Sequence, residues 1–171
     1  MTGKIGFGGG CHWCTEAVFA SLKGVLSVHQ GWLASDGENS SFSEGVIVEY
    51  DNDFLSIEIL VAIHVYTHSA ASDHHMRSKY RSAIYYFSDE QVTPITQALQ
   101  KLQQDFEKPL VTQVLPYNNF QQNIDEQLNY YFTDPERPFC RTYIDPKLRL
   151  LLEQFSSLID TDKVSHLLKK N

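Results

Sequence analysis

Short runs of alternating apolar and polar residues are separated along this chain by longer stretches with helical spacing, and glycines mark several of the joints. Residues 4–7 read as a strand that Gly8, Gly9 and Gly10 interrupt. After the glycines, Ala17, Val18, Phe19 and Leu22 share one helical face starting near Cys11, and Gly24 is placed to end that helix. Residues 25–33 read as a second strand, and the Asp, Gly, Asn and Ser content of residues 35–43 as a loop. Val46, Val48 and Tyr50 alternate as a third strand. Ser56 is a natural cap for a helix carrying Ile59, Leu60, Ile63 and His64. Residues 67–79, polar and histidine-rich, read as a loop, and residues 80–87 as a fourth strand.

In the second half, Ser88 and Gln91 have the form of a capping box for a helix reaching residue 107. Alternatively Thr93 caps and Pro94 takes the first helical position. A fifth strand over 110–115, a helix over 124–131, a proline-bearing stretch over 134–145 and a helix over 146–159 follow, with residues 160–171 as a last turn or tail. The order strand, helix, strand, strand, helix, strand predicts an α+β fold. Its architecture would be a two-layer sandwich on a split β-α-β (ferredoxin-like) core of mixed sheet and helices, with a C-terminal extension.

With 171 residues, 42% apolar and 20% charged, the composition is that of one globular domain spanning residues 1–171. A net charge of −7 argues against nucleic acid or an anionic membrane as partner, since both reward clustered cations. No apolar run approaches the ~20 residues that span a bilayer. The opening Met1-Thr2-Gly3-Lys4 leads into a strand rather than an apolar leader, so a cytoplasmic, monomeric protein is expected.

Three cysteines do not make a disulfide scaffold, yet Cys11-His12-Trp13-Cys14 sits where a glycine turn meets a helix. Unpaired N–H groups and the positive end of the helix dipole stabilise a thiolate there, and the thiolate is the reactive form. Trp13 offers a flat apolar wall nearby. The same residues also fit cysteines packed under a turn, a thioredoxin-type dithiol, or half a zinc site completed by His64 with His68 or by His74 and His75. None of those histidine pairs has a familiar finger spacing, and no metal or organic cofactor is expected.

Longer matches narrow the choice. Gly9-Gly10-Cys11-His12-Trp13-Cys14-Thr15-Glu16 resembles the Gly-Gly-Cys-Phe-Trp signature of the methionine sulfoxide reductase A family. The resemblance continues through Leu22-Lys23-Gly24-Val25, Ser43-Glu44-Gly45-Val46, Ile63-His64, Tyr80-Arg81-Ser82-Ala83-Ile84-Tyr85, Lys108-Pro109-Leu110, Tyr130-Tyr131, Phe139-Cys140 and Pro146-Lys147-Leu148. It implies reduction of the S-epimer of methionine sulfoxide, peptide-bound or free. Cys11 would attack sulfur, and Glu44, a carboxylic acid kept protonated by burial, would protonate the departing oxygen. Tyr80 would hydrogen-bond that oxygen, and Trp13 would hold the methyl group. The resulting Cys11 sulfenic acid would condense with a second thiol to a disulfide that thioredoxin reduces. Taken alone, Glu44 reads as a solvated strand-edge acid, Tyr80 as a half-buried strand aromatic and Trp13 as core.

The chain departs from the family's pattern in four places. His12 stands where Phe is usual; it can stack on the substrate methyl, tune the thiolate, or sit idle on the surface. The 35–43 loop is short and lacks a second tyrosine, for which Phe42 has no hydroxyl to substitute. The family's acidic residue five positions before the tyrosine becomes His75, with Asp73 nearby. Gln127 and Leu128 replace a His-Gln pair. For the resolving thiol the resemblance favours Cys140, on a segment read as flexible. Cys14 is the reserve, because residues three apart on a helix point about 60° apart; a relay through both is the third option. The competing functions are a thiol redox sensor on the same fold and a generic thioredoxin-like oxidoreductase.

Overall fold

The computed structural model describes residues 1–72 and 76–168. Among these, six strands form one sheet in the order β5-β4-β1-β3-β2-β6: β1 Thr2–Gly8, β2 Val25–Ala34, β3 Ser43–Asp51, β4 Ala83–Tyr86, β5 Gln113–Pro116 and β6 Asn119–Gln122. β3 lies between β1 and β2 and runs antiparallel to both, which makes β1 and β2 the two halves of a split β-α-β unit. β4 joins β1 antiparallel, and β5 joins β4 in parallel. The connecting helices are α1 His12–Ala20, α2 Ile57–Thr67 and α3 Val92–Leu102; α4 Tyr130–Thr133, α5 Asp145–Gln154 and α6 Ser165–Leu168 follow. The α+β expectation holds.

Strand alternation decides which residues meet the helices. Ile5 and Phe7 of β1, Val46, Val48 and Tyr50 of β3 and Ile84 of β4 point into the main core, which α1, α2, α3 and α5 cover. Phe7 stacks on Phe19 of α1 with ring centroids 4.5 Å apart. The intervening residues Ile47, Ala83 and Tyr85, with Leu33, make a smaller apolar cluster on the opposite face.

The differences from the sequence reading have local causes. β4 begins at Ala83 because the three preceding residues are committed elsewhere. The Tyr80 carbonyl accepts from Arg77 (3.0 Å), the Arg81 amide donates to Ser43 Oγ (2.8 Å), and the Ser82 carbonyl accepts from the Gln113 amide (2.9 Å). Gln91 does not complete a capping box: its side chain accepts from the Phe87 amide and donates to the Lys4 carbonyl. A 3-10 turn over Asp89–Gln91 precedes α3 instead, with Pro94 in the helix's first turn. Residues 124–131 are not one helix. A 3-10 turn over Asp125–Gln127 gives way to Asn129 in the left-handed region (φ 53°), and only then does α4 begin. α1 ends at Ala20, four residues before Gly24, whose φ of 84° turns the chain into β2. The tail is packed rather than loose: Val164 is buried, and the Asp160 amide donates to the Ser21 carbonyl.

Candidate active site

β1 delivers the chain to α1 through Gly9 and Gly10, and Cys11 takes the N-cap position of that helix. A Cβ on Gly9 would lie 2.4 Å from His68 Cδ2, so this joint closes against α2 only with glycine there. A Cβ on Gly10 would meet nothing within 4 Å. Cys11, half-buried, opens onto a cavity of about 330 Å³ whose wall includes Cys14, His68, Tyr80, Phe139 and Lys147.

Cys11 and Cys14, one turn apart on α1, influence each other's ionisation. The Cys14 thiol donates a hydrogen bond to Cys11, and this bond is the main influence lowering the Cys11 pKa. Burial opposes it, the backbone N–H groups of Trp13 and Cys14 support it, and the Glu44 charge opposes it. The same bond, with burial, drives the Cys14 pKa strongly upward, while Lys147 draws it back down. Cys11 is therefore the group poised to ionise and Cys14 the one holding its proton.

Glu44 enters from β3 and is 7% exposed, so the solvated-acid reading does not survive. Its Oε1 accepts the His12 amide hydrogen (3.2 Å) and lies 3.4 Å from His12 Nε2; Oε2 lies 3.7 Å from Lys79 Nζ. His12 is buried too, which removes the idle surface reading. Its Nδ1 must carry a hydrogen, because its partner at 2.7 Å is the Gly31 carbonyl oxygen. Nε2 then faces Glu44 and, at 3.5 Å, the Asn123 amide nitrogen. The ring packs edge-on against Trp32 at 5.1 Å, so His12 acts on the carboxyl rather than presenting a flat face to a methyl group.

Trp13 is stacked on Tyr130 (4.0 Å, 7°) and meets the edge of Phe139 (5.4 Å), while the Arg137 guanidinium covers Tyr130. Glu16, about one and a half turns below the cap on α1, positions this wall. Its carboxylate accepts the backbone hydrogens of Asn129 (2.9 Å) and Tyr130 (3.2 Å), serving N–H groups that α4 leaves unpaired, and a hydrogen from Gln30. Gln30 in turn accepts from Asn123 (2.7 Å), so one polar network runs from His12 to Tyr130.

Tyr80 lines the cavity beside Lys79, whose Nζ lies 5.0 Å from the ring centroid and so stands between Tyr80 and Glu44. His64 and His68 stack at 4.0 Å, and neither is arranged for metal. His64 donates through Nε2 to the Gly8 carbonyl; His68 donates through Nδ1 to the His64 carbonyl and accepts from Ser82 Oγ through Nε2. Burial pushes the His64 pKa well down and the His68 pKa to about 4, so both stay neutral. No group of three or more His, Cys, Asp or Glu that would hold a metal ion exists among the described residues. His74, His75 and Asp73 lie outside them.

Cys140 is fully buried, at the start of a π-helical turn, Cys140–Ile144, that runs into α5, so its segment is not the loose flap expected. Its sulfur donates weakly to the Asp134 carbonyl (3.7 Å), and burial raises its pKa. Its charge bears on the Cys14 thiol, with which it shares the main core. Phe42 is exposed. Lys79, Glu16, Gln30, Asn123 and Lys147 carried no role in the sequence reading. Glu16 alone left a trace, one helical turn beyond His12 on the same face.

The family profile described as peptide methionine sulfoxide reductase matches residues 3–158. The chain belongs to the peptide methionine sulfoxide reductase family. Among its relatives, the peptide methionine sulfoxide reductase MsrA of Psychrobacter cryohalolentis is 32% identical over 87% of this chain and 94% of that one. That of Sulfolobus acidocaldarius is 30% identical over 86% and 92%. The fold is similar to that of reduced Mxr1 from Saccharomyces cerevisiae (TM-score 0.72, 17% identity, 83% of this chain and 91% of that one). It is also similar to methionine sulfoxide reductase A of Corynebacterium diphtheriae (TM-score 0.64, 22% identity, 78% and 76%). His12 brings a ring nitrogen, rather than a ring face, to Glu44.

Proposed function

We propose that this chain reduces methionine S-sulfoxide, peptide-bound or free, to methionine with thiol chemistry centred on Cys11. The observation that carries the reading is the Cys11 sulfur, favoured as an anion at the head of α1, with the buried Glu44 carboxyl close enough to act on its charge. Cys11 thiolate attacks the sulfoxide sulfur, and Glu44 passes a proton to the oxygen as the S=O bond gives way. The oxygen passes as hydroxyl to the Cys11 sulfur as its bond to the methionine sulfur breaks, so methionine leaves and Cys11 remains as a sulfenic acid. His12 and its amide hold Glu44 Oε1, so His12 positions the acid, while Tyr80 with Lys79 serves the oxygen from the cavity side. The Trp13, Tyr130 and Phe139 wall holds the methyl group. Cys14 is the first resolving thiol, because it lies one turn from Cys11 on α1 and acts on its ionisation, and Cys140 receives the disulfide next. His75 is retained from the resemblance as a neighbour of the substrate.

Thioredoxin is the proposed reductant. A structure of Mxr1 from Saccharomyces cerevisiae in complex with Trx2 (TM-score 0.60, 20% identity, 74% of this chain and 83% of that one) supports a thioredoxin partner for this fold. Among the described residues no helix is long and apolar enough to cross a membrane. We place the reaction in the cytoplasm, where three free cysteines stay reduced. Multiple-turnover reduction of a methionine sulfoxide peptide, resolved by epimer with dithiothreitol, tests the reading. Selective loss of the S-epimer supports it. No turnover of either epimer by folded protein refutes it in favour of a thiol sensor, and disulfide reduction alone would mean a thioredoxin-like enzyme.

A further inference from the structure

Cys14 presents a chemical difficulty. To resolve a sulfenic acid on Cys11 it must attack as a thiolate, yet burial, which persists after Cys11 is oxidised, holds its proton on. Among the described residues the one lysine on the cavity wall is Lys147, from the first turn of α5, and it shares that wall with Cys11 and Cys14. Its ammonium donates to the Thr67 carbonyl, the last of α2, which the helix leaves without an internal partner. One of three ammonium hydrogens is thereby used, and the cation is fixed beside the two sulfurs rather than extended into solvent.

The other groups around it do not compete. From α2, His64 and His68 are neutral, and their ring nitrogens are engaged as described, save His64 Nδ1. From the preceding loop, Arg77 gives its guanidinium hydrogens to the carbonyls of Gly9, Tyr80, Ser69 and Ser72. Tyr80 is paired with Lys79, on the Glu44 side. From the π-helical turn, Cys140 donates to Asp134, and Tyr143 is exposed and packs on Phe139.

We infer that Lys147 is a catalytic residue of the resolving step: its ammonium stabilises the Cys14 thiolate and supplies a proton to the hydroxide that leaves Cys11. This rests on the reading of Cys11 as the group that becomes a sulfenic acid. In the step, Cys14 gives up its S–H proton and its sulfur attacks the Cys11 sulfur. The S–S bond forms as the Cys11 S–O bond breaks, and the departing hydroxide takes a proton from Lys147 and becomes water. The Cys14 proton restores the ammonium. Cys14 is oxidised, Cys11 is reduced from sulfenic acid to disulfide, and no further reactant is consumed. Burial lowers the Lys147 pKa, which eases proton transfer from this ammonium, while the two sulfurs raise it.

The test separates this step from sulfoxide chemistry by forming the sulfenic acid in two ways, with a methionine sulfoxide peptide and with hydrogen peroxide. Wild type, K147M and K147R are compared after a folding check by thermal melting. Disulfide formation is timed by loss of free thiols, and the sulfenic acid is trapped with a dimedone-type probe. In K147M the sulfenic acid should accumulate after either oxidant. Disulfide formation should slow by at least about tenfold near pH 7, and its pH profile should move to higher pH. K147R, which keeps the cation but gives up no proton, should return the pH profile toward that of wild type while recovering only part of the rate. Disulfide formation in K147M at the wild-type rate and pH dependence would overturn the inference, as would a pH profile in K147R displaced as far as that of K147M. If wild type forms the disulfide with peroxide but releases no methionine from the peptide, the sulfoxide reading fails while the Lys147 result still stands or falls on the peroxide arm.

Discussion

At Cys11 opposing influences of similar kind meet on one sulfur atom. The thiol of Cys14 and the amides of α1's first turn favour the anion, whereas burial and the charge of Glu44 disfavour it, and the balance favours ionisation. Removing the Cys14 donor should reverse that balance. In C14A, alkylation of Cys11 by iodoacetamide should shift its midpoint to higher pH, with about tenfold slower reaction for each pH unit. C14S, which keeps a donor, should shift it less; an unmoved midpoint in C14A would remove Cys14 as the activating group. For Glu44 the expectation concerns turnover. E44Q keeps the shape and can accept the His12 amide hydrogen, but has no acidic proton, so kcat for sulfoxide reduction should fall roughly 10²–10⁴-fold. Near-normal turnover in E44Q would transfer the acid role elsewhere. Cys11 was legible in the sequence because glycines followed by a helix start announce an N-cap. The engagement of His12 with Glu44 was not, since the contact joins residues on different elements and depends on how α1 is rolled against β3.

Among the elements, α4, α5 and α6 are tied at one buried point. Tyr131 of α4 donates to Asp145 Oδ1 at the start of α5 (2.5 Å) and accepts from His166 Nε2 of α6 (2.6 Å). Burial and Asp145 raise the tyrosine's pKa, so its hydroxyl remains a donor. Y131F leaves Asp145 buried without that hydrogen, a loss of about 1.5–3 kcal/mol for a bond to a charged group. Urea unfolding should register it, and Cys140, next along the chain from this knot and fully buried, should react faster with a thiol reagent. Unchanged stability and unchanged Cys140 labelling would mean the knot holds nothing. Helix α2 and its Ser56 cap, bonded to the Ile59 amide at 3.2 Å, were readable because cap and helix are contiguous. β6 was not. Its Asn-Phe-Gln-Gln sequence has one apolar residue, and only pairing with β2 makes it a strand.

For the molecule as a whole, His64 and His68 link α2 to the glycine joint and to Ser82 ahead of β4, so their protonation bears on overall stability. Their folded pKa values are depressed below the ordinary 6.5, to about 4 for His68. The neutral forms are favoured by folding. The stability they contribute is complete above pH 6.5 and is lost as pH falls from there through about 4. Glu49, held near 2 by Ser27 and His29, adds its own loss only below its ordinary 4.5. Urea midpoints should therefore decline as pH falls from 7.5 to 5, before Glu49 begins to contribute, and H68Q should flatten the decline; a flat profile in wild type would contradict the neutral, buried histidines. By itself the sequence determined the α+β class, the split β-α-β order and the helix start at Cys11, because each is written in contiguous spacing and local turn chemistry, and its motifs pointed to the family. Only the tertiary structure decided that His12 meets Glu44, that Cys140 is locked in a helical turn, and that Lys147 shares a cavity wall with Cys11 and Cys14. Those relations depend on how α1 is rolled against β3 and how α1, α2 and α5 pack around one cavity, and packing of distant segments leaves no periodic mark in the chain.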